Sequence, residues 1–167
     1  MHATSFNGLT SLNQLNLKYN NITSVQYNFD ELGSTKYLYL SNNRIVSIQA
    51  HTFNNLVALD DLRLDFNRIE RIQAGVSESL KNLTYLGLHE NKLKSLDSGS
   101  FRGLESLERL GIEGNNIASI ARDTFSRLID LKRVCLMNNP IVDGFPELVK
   151  EIVCGHRLVN ESCCRVD

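Results

Sequence analysis

No excess of charge of either sign marks this sequence: its 167 residues carry a formal net charge of -1. That balance argues against a dedicated nucleic-acid binder, which normally presents a basic face. No stretch approaches the roughly 20 consecutive apolar residues that span a bilayer. Met1-His2-Ala3-Thr4-Ser5 lacks the apolar run of a secretory signal, and the chain is expected to begin inside a repeat, as a mature protein or an excised fragment would. Gly-rich phosphate loops are absent, as is tryptophan, and proline occurs only at positions 140 and 146. Aliphatic residues dominate, and the length suits one ordinary domain that can bury a core.

What the chain does have is a period. The pattern L-x-x-L-x-L-x-x-N-x-L occurs six times, beginning with Leu12, Leu15, Leu17, Asn20 and Ile22. In the second copy Thr35 takes the first slot, before Leu38, Leu40, Asn43 and Ile45. The remaining copies place their asparagines at Asn67, Asn91, Asn115 and Asn139, so successive spacings are 23, 24, 24, 24 and 24 residues. Regularity of this kind is the mark of a solenoid. The central apolar pair of each copy, such as Leu62 and Leu64, has strand periodicity, so both side chains face the same way. Short strands from successive copies are expected to stack in parallel over one continuous core that no single repeat could close. The asparagine sits where the chain leaves the strand, and its amide is expected to satisfy backbone groups of its own turn and of the next repeat.

A second apolar series, Val25, Ile48, Ile72, Leu96 and Ile120, follows each asparagine by five residues. Phe6, Phe29, Phe53, Phe101 and Phe125 precede the first slot of their repeats by six and are expected to stack as an aromatic spine. Ser77 interrupts that spine, and Val76 or Leu80 is expected to make up part of the lost packing. After Pro140 the repeat stops, and Phe145 to Val153 has apolar residues at helical spacing, which predicts a short capping helix.

With these residues the chain resembles the "typical" class of extracellular leucine-rich repeats found in Toll-like receptors and small proteoglycans. The 24-residue period and the entry Phe53-Asn54-Asn55-Leu56-Val57-Ala58-Leu59 carry the resemblance, over roughly residues 6 to 141. It implies an α/β solenoid: an arc with six short parallel strands on its concave face and an irregular convex side. It also implies protein or glycan recognition on that face, with no cofactor. The domains read as 1–141, a solenoid of six repeats whose N-terminal end is uncapped, and 142–167, a C-terminal cap with cysteines.

The common extracellular cap begins with a Cys-x-Cys pair after the last Asn-Pro, whereas Asn139-Pro140 is followed by no cysteine before Cys154. The stretch from Cys154 through Cys163-Cys164-Arg165 is instead similar to the end of the mosquito leucine-rich-repeat immune proteins. That resemblance implies a haemolymph protein of innate immunity that pairs through a disulfide and carries a complement-like protein to pathogens. The chain departs from the family by lacking its cysteine shortly after the final repeat. Cys154 can pair with Cys163 or with Cys164, leaving the other for a disulfide-linked dimer, because adjacent cysteines seldom bond each other. The alternative is reduced thiols in a cytosolic repeat protein. Cys154, His156, Cys163 and Cys164 supply donors for zinc, but their spacing matches no common structural set, so no metal is expected. Sequons at Asn21, Asn82 and Asn160 support glycosylation and a secreted location.

Residues alternating with the strand leucines face the concave side. They concentrate Tyr19, Tyr37, Tyr39, Phe66 and Tyr85 beside Asp61, Arg63, Asp65, His89 and Arg109, the residue types enriched at binding hot spots. An ordinary strand surface is the rival explanation, since tyrosine suits sheets on propensity alone. Gly87 and Gly111 are expected to leave a shallow trough next to His89 and Glu113. Cys135 takes the corresponding position in the last strand. No catalytic constellation appears, so the expected function is a non-enzymatic recognition module for another protein. A receptor ectodomain and a cytosolic scaffold or regulator are the alternatives.

Overall fold

The computed structural model describes residues 5–25 and 29–144. In chain order its elements are β1 (Gln14–Asn16), β2 (Ser24–Val25), β3 (Tyr37–Tyr39), β4 (Ser47–Ile48) and β5 (Asp61–Arg63). There follow β6 (Tyr85–Gly87), β7 (Ser95–Leu96), β8 (Arg109–Gly111), β9 (Ser119–Ile120), β10 (Arg133–Cys135) and α1 (Pro140–Gly144). The long strands form one six-stranded parallel sheet in the order β1-β3-β5-β6-β8-β10. Its register is set by the repeat itself: Leu15, Leu38, Leu62, Leu86, Leu110 and Val134 are successive partners. A slip of one residue would turn every one of these side chains out of the core, so the period fixes the pairing.

The chain is therefore the leucine-rich-repeat solenoid that its sequence predicts. Both members of each central pair are buried in repeats two to six, and the first-slot leucines with them. Thr35 substitutes for leucine without a buried unpaired hydroxyl, because its Oγ1 donates to the Leu12 carbonyl at 2.9 Å. The buried asparagines form a ladder. In Asn67, the side-chain nitrogen donates to the carbonyls of Leu40 and Leu64, each at 3.0 Å, while Oδ1 accepts from the Ile45 amide at 3.0 Å. The same contacts recur at Asn43, Asn91, Asn115 and Asn139, so each asparagine ties its own turn to the repeat before it, and not to the next repeat as the sequence led one to expect.

The convex side is broken at its middle. Phe6, Phe29 and Phe53 stack at 6.1 and 6.0 Å, and Phe101 stacks on Phe125 at 6.0 Å. Between the two groups stands Ser77, whose Oγ donates to the Arg102 carbonyl at 2.9 Å. Val76 and Leu80 are buried there as expected, but they leave an apolar cavity of about 30 Å³ walled also by Phe53, Ile69 and Ile72. The minor strands break at the same place. β2 pairs with β4 and β7 with β9, while Ile72 is only half-buried and joins neither pair. Both interruptions fall in the repeat that has Ser77 in place of a phenylalanine.

At the C-terminus α1 opens on Pro140, a residue suited to the first helical position because its missing N–H would have had no helical partner. Ile141 and Val142 are buried against the last repeat. The helix expected over 145–153 lies outside the described residues, as do Cys154, Cys163, Cys164, Asn160 and the histidines at 2 and 156. No helix among the described residues is long and apolar enough to cross a membrane.

Candidate functional site

The concave face is built from the two residues that flank each buried strand centre. Tyr37 and Tyr39 of β3, Asp61 and Arg63 of β5, and Tyr85 of β6 all stand there half-buried. Arg63 is anchored from below: its Nη2 donates to Asp61 Oδ2 at 2.8 Å and its Nε reaches both carboxylate oxygens at 3.1 Å. That bidentate bond holds the guanidinium charged and raises its pKa further. So fixed, Arg63 lies 5.2 Å from the ring centroids of both Tyr39 and Tyr85. Lys18 sits 4.6 Å over the other side of Tyr39, and Arg109 5.3 Å from Tyr85. The result is a continuous ladder, Lys18-Tyr39-Arg63-Tyr85-Arg109, with cations and rings alternating across five repeats. Burial, with Asp61 close by, raises the Tyr39 phenol, and burial with Asp65 close by raises that of Tyr85, so both stay neutral hydrogen-bonding groups.

Beyond the strands the chain turns through one left-handed residue per repeat. Tyr19, Asn42, Phe66, Glu90, Gly114 and Asn138 take φ values from 53° to 64°. Glycine or asparagine is the inexpensive choice in that conformation. Tyr19 and Phe66 occupy it instead, with 79% and 49% of their surface exposed. The chain thus accepts backbone strain to hold two aromatic rings at the rim of the concave face.

The acidic members of the predicted patch part company. Asp61 serves Arg63. Asp65, placed by the sequence on the open surface, is buried with only 6% of its side chain exposed. Ser41 Oγ donates to its Oδ2 at 3.2 Å, and its Oδ1 lies 2.7 Å from His89 Nδ1. The expected open trough is accordingly altered, because the Asp65 carboxylate lies where a side chain on Gly87 would be: a Cβ there would come within 2.9 Å of Asp65 Cγ. The sequence set Glu113 with His89 beside the trough. Glu113 Oε1 is 4.0 Å away, while the Glu90 carboxylate packs over Gly114. The missed partner, Asp65, was legible: it precedes His89 by one repeat in the same column, so adjacent strands place the two side by side. Phe66 meets His89 edge to face at 5.2 Å.

Cys135 is half-buried in β10. Asn21 and Asn82 are exposed, but the Asn82 side-chain nitrogen donates to the Val57 carbonyl at 2.8 Å, a bond that a glycan would break. No group of three or more His, Cys, Asp or Glu among the described residues is arranged to hold a metal.

A parallel-strand solenoid with aromatic and charged side chains on the open face of its sheet belongs to the class of leucine-rich-repeat folds. The leucine-rich-repeat family model matches residues 1–45, 26–69 and 58–117, and the chain belongs to that family, whose repeat domains generally bind proteins and are typically non-catalytic. No curated protein matches its sequence. Among solved structures it is similar to TLR13 in a complex with ssRNA13, at 36% identity and a TM-score of 0.75 over 86% of this chain. It is similar to FLRT2 in an octameric complex with Latrophilin 3 and Unc5D, at 25% identity and a TM-score of 0.73 over 78% of the chain. A leucine-rich-repeat protein of Leptospira interrogans matches at 29% identity and 0.74 over 87%. The chain spans 21%, 40% and 36% of those three chains respectively.

Proposed function

We propose that this chain is a non-enzymatic, secreted recognition module that grips a protein partner on its concave face. The carrying observation is the five-membered ladder from Lys18 to Arg109, which presents pre-ordered rings and cations, the residue types that dominate interface energetics. The Asp61 clamp removes most of the entropy that Arg63 would otherwise lose on docking. The FLRT2 assembly, a repeat domain in complex with other proteins, supports a protein as the ligand class. The TLR13 complex supplies the rival, single-stranded RNA. The near-neutral sequence and the carboxylate held against Arg63 favour protein.

The C-terminal Cys154, Cys163 and Cys164 support a finer reading, a disulfide-linked complex acting in innate immunity. A second reading, a segment of a receptor ectodomain, is favoured by the small share of the similar chains that this one spans. Glycan occupancy at Asn21 would exclude a cytosolic scaffold.

The test is the double variant Tyr39→Ala/Arg63→Ala. Partners are to be cross-linked from the extracellular fluid of the source organism, then titrated as purified proteins. Loss of affinity by at least about tenfold, with an unchanged circular dichroism spectrum, is expected. Equal affinity would remove the ladder as the docking surface. Binding of single-stranded RNA but no protein would give the rival ligand class.

A further inference from the structure

Past the buried asparagines, where the chain has left the concave sheet, stands a row of cations that neither the core nor the ladder uses. The residue after the asparagine is Arg44, Arg68 and Lys92 in repeats two to four. The same column is neutral on either side of them, with Asn21 before and Asn116 after. Backbone bonds set the three side by side. The Arg44 amide donates to the Ile22 carbonyl at 2.9 Å, that of Arg68 to Ile45 at 2.8 Å and that of Lys92 to Ile69 at 2.9 Å. The backbones of neighbouring rungs are therefore one strand spacing apart, about 4.8 Å. All three residues are exposed.

Charge in other columns is arranged differently. Glu78 meets Arg102 at 3.7 Å, Lys81 meets Glu105 at 3.0 Å and Glu108 meets Lys132 at 2.6 Å, each pair one repeat apart and opposite in sign. Like charges facing each other on adjacent strands are destabilising. Arg44, Arg68 and Lys92 nevertheless repeat one sign three times, and among the described residues none of them enters an ion pair. Two more exposed cations stand close by: Lys94 in the next outward column, and Arg71. Glu70 is the carboxylate among these groups, and Lys94 Nζ engages it at 2.9 Å. The hydrogen bond and charge of Lys94, with the charges of Lys92 and Arg71, hold the Glu70 carboxyl below its ordinary range, so the three cations gather around it. One acid thus answers five cations in a chain whose overall charge is -1.

We propose that the row Arg44-Arg68-Lys92, with Arg71 and Lys94 beside it, binds the sulfate groups of a linear acidic polysaccharide. A concentration of one sign of charge raises the local concentration of the opposite sign, and a basic cluster of this size is a footprint of a polyanion. Cations stepped evenly across three repeats and open to solvent match a chain that carries anions along its length. A single strand of nucleic acid is also such a chain, but its binding sites add rings on which bases stack. The row and the column outward of it, Val46, Glu70 and Lys94, hold none. The rings closest in the chain, Tyr19 and Phe66, stand at the concave rim, Phe66 edge to face with His89. The site shares no residue with the ladder, so a polysaccharide here and a protein on the concave face do not compete for side chains.

The test titrates the full, uniformly labelled chain with a heparin hexasaccharide and follows backbone amide shifts. A single-stranded thymidine oligonucleotide and a polyglutamate peptide of matched charge, at the same ionic strength, serve as comparisons. Saturable shifts centred on Arg44, Arg68 and Lys92 are expected, with the hexasaccharide bound most tightly. The variant Arg44→Gln/Arg68→Gln/Lys92→Gln should bind about tenfold or more weakly, the summed scale of three exposed ion pairs. The variant Lys36→Gln/Arg122→Gln/Arg127→Gln removes the same charge from exposed positions elsewhere and should stay within about twofold of the parent, because distant charges are screened. Thermal melts establish that both variants are folded. The proposal is overturned by the absence of saturable shifts, by shifts centred on other residues, by equal or tighter binding of the oligonucleotide or the peptide, or by equal losses in the two variants. None of these outcomes touches the ladder, whose test uses different residues and a protein partner.

Discussion

The asparagine ladder makes a prediction with its own control inside the chain. Asn91 is 7% exposed, and its side-chain nitrogen donates to the carbonyls of Leu64 and Leu88 at 3.0 Å and of His89 at 3.3 Å. Its Oδ1 accepts from the Ile69 amide at 3.0 Å. Asn91→Ala leaves that amide and those carbonyls in an interior that water does not reach. An abandoned buried donor costs about 1–3 kcal/mol, and the carbonyls together add a comparable amount, so the expected loss is about 3–5 kcal/mol. Asn20 has the same place in the first repeat but is exposed, and its nitrogen reaches only the Leu17 and Lys18 carbonyls, at 3.0 and 3.1 Å. Water replaces those bonds, so Asn20→Ala should cost less than about 1 kcal/mol. Urea unfolding at constant m-value measures both. Losses within about 1 kcal/mol of each other would refute the argument that the inter-repeat amide bond, rather than the turn, gives this residue its weight.

Three further outcomes follow from local geometry. Gly103→Ala should cost more than about 3 kcal/mol in the same assay, because φ is +93° and the new Cβ would stand 2.5 Å from Glu78 Cα; Gly8→Ala, at φ +81° in open space, should cost about 1 kcal/mol. Phe66→Asn should raise stability by about 0.5 kcal/mol through relief of the left-handed strain while weakening partner binding, and a stability loss would show that the ring is held by packing instead. The folded state binds the Asp65 proton more tightly than the unfolded chain does, since burial raises this carboxyl above its unfolded value of 3.8. Stability therefore falls as pH rises from that value through the folded pKa, and the full penalty persists above it. Asp65→Asn should exceed the parent by about 1 kcal/mol at neutral pH, with the gap closing below about pH 4 in urea titrations at several pH values.

Legibility in the sequence tracked how local the determining physics was. The strand register could be read because Leu38, Leu62, Leu86 and Leu110 repeat at a spacing that leaves one pairing only. The gap at Ser77 could be read from one missing ring, though not the accompanying loss of a minor strand at Ile72. The concave columns gave Tyr39, Arg63 and Tyr85 their correct face, and their contact as a ladder follows from neighbouring repeats. Burial of Asp65 was not legible from its column, where Lys18 and His89 remain more open. It depends on Gly87 in the next strand having no side chain, so that the carboxylate can lie down, and a pattern that reads each column separately does not contain that coupling. The left-handed turn at Tyr19, Phe66 and Glu90 was hidden for a similar reason: the solenoid imposes the conformation, and residue preference is overridden.

Several of these departures from local preference fall together, although His51 takes φ 67° and Ser77 interrupts the packing on the convex side. Strained aromatic turn residues stand at Tyr19 and Phe66, a carboxylate is buried without a full set of donors at Asp65, and the sheet gives up side chains at Gly87 and Gly111. All lie on or at the rim of the concave face, within the repeats that carry the ladder. The asparagines, leucines and phenylalanines below them follow the repeat pattern closely and supply a stability that local costs can draw down. A repeat fold permits this separation because each turn is held mainly by its neighbours, so an unfavourable residue on one face is tolerated where the ladder beneath it is intact. An ordinary strand surface, coloured only by the propensity of tyrosine for sheets, would show the tyrosines but would have no reason to show the strain, the buried charge and the missing side chains in the same place. Their coincidence favours a surface selected for what docks on it.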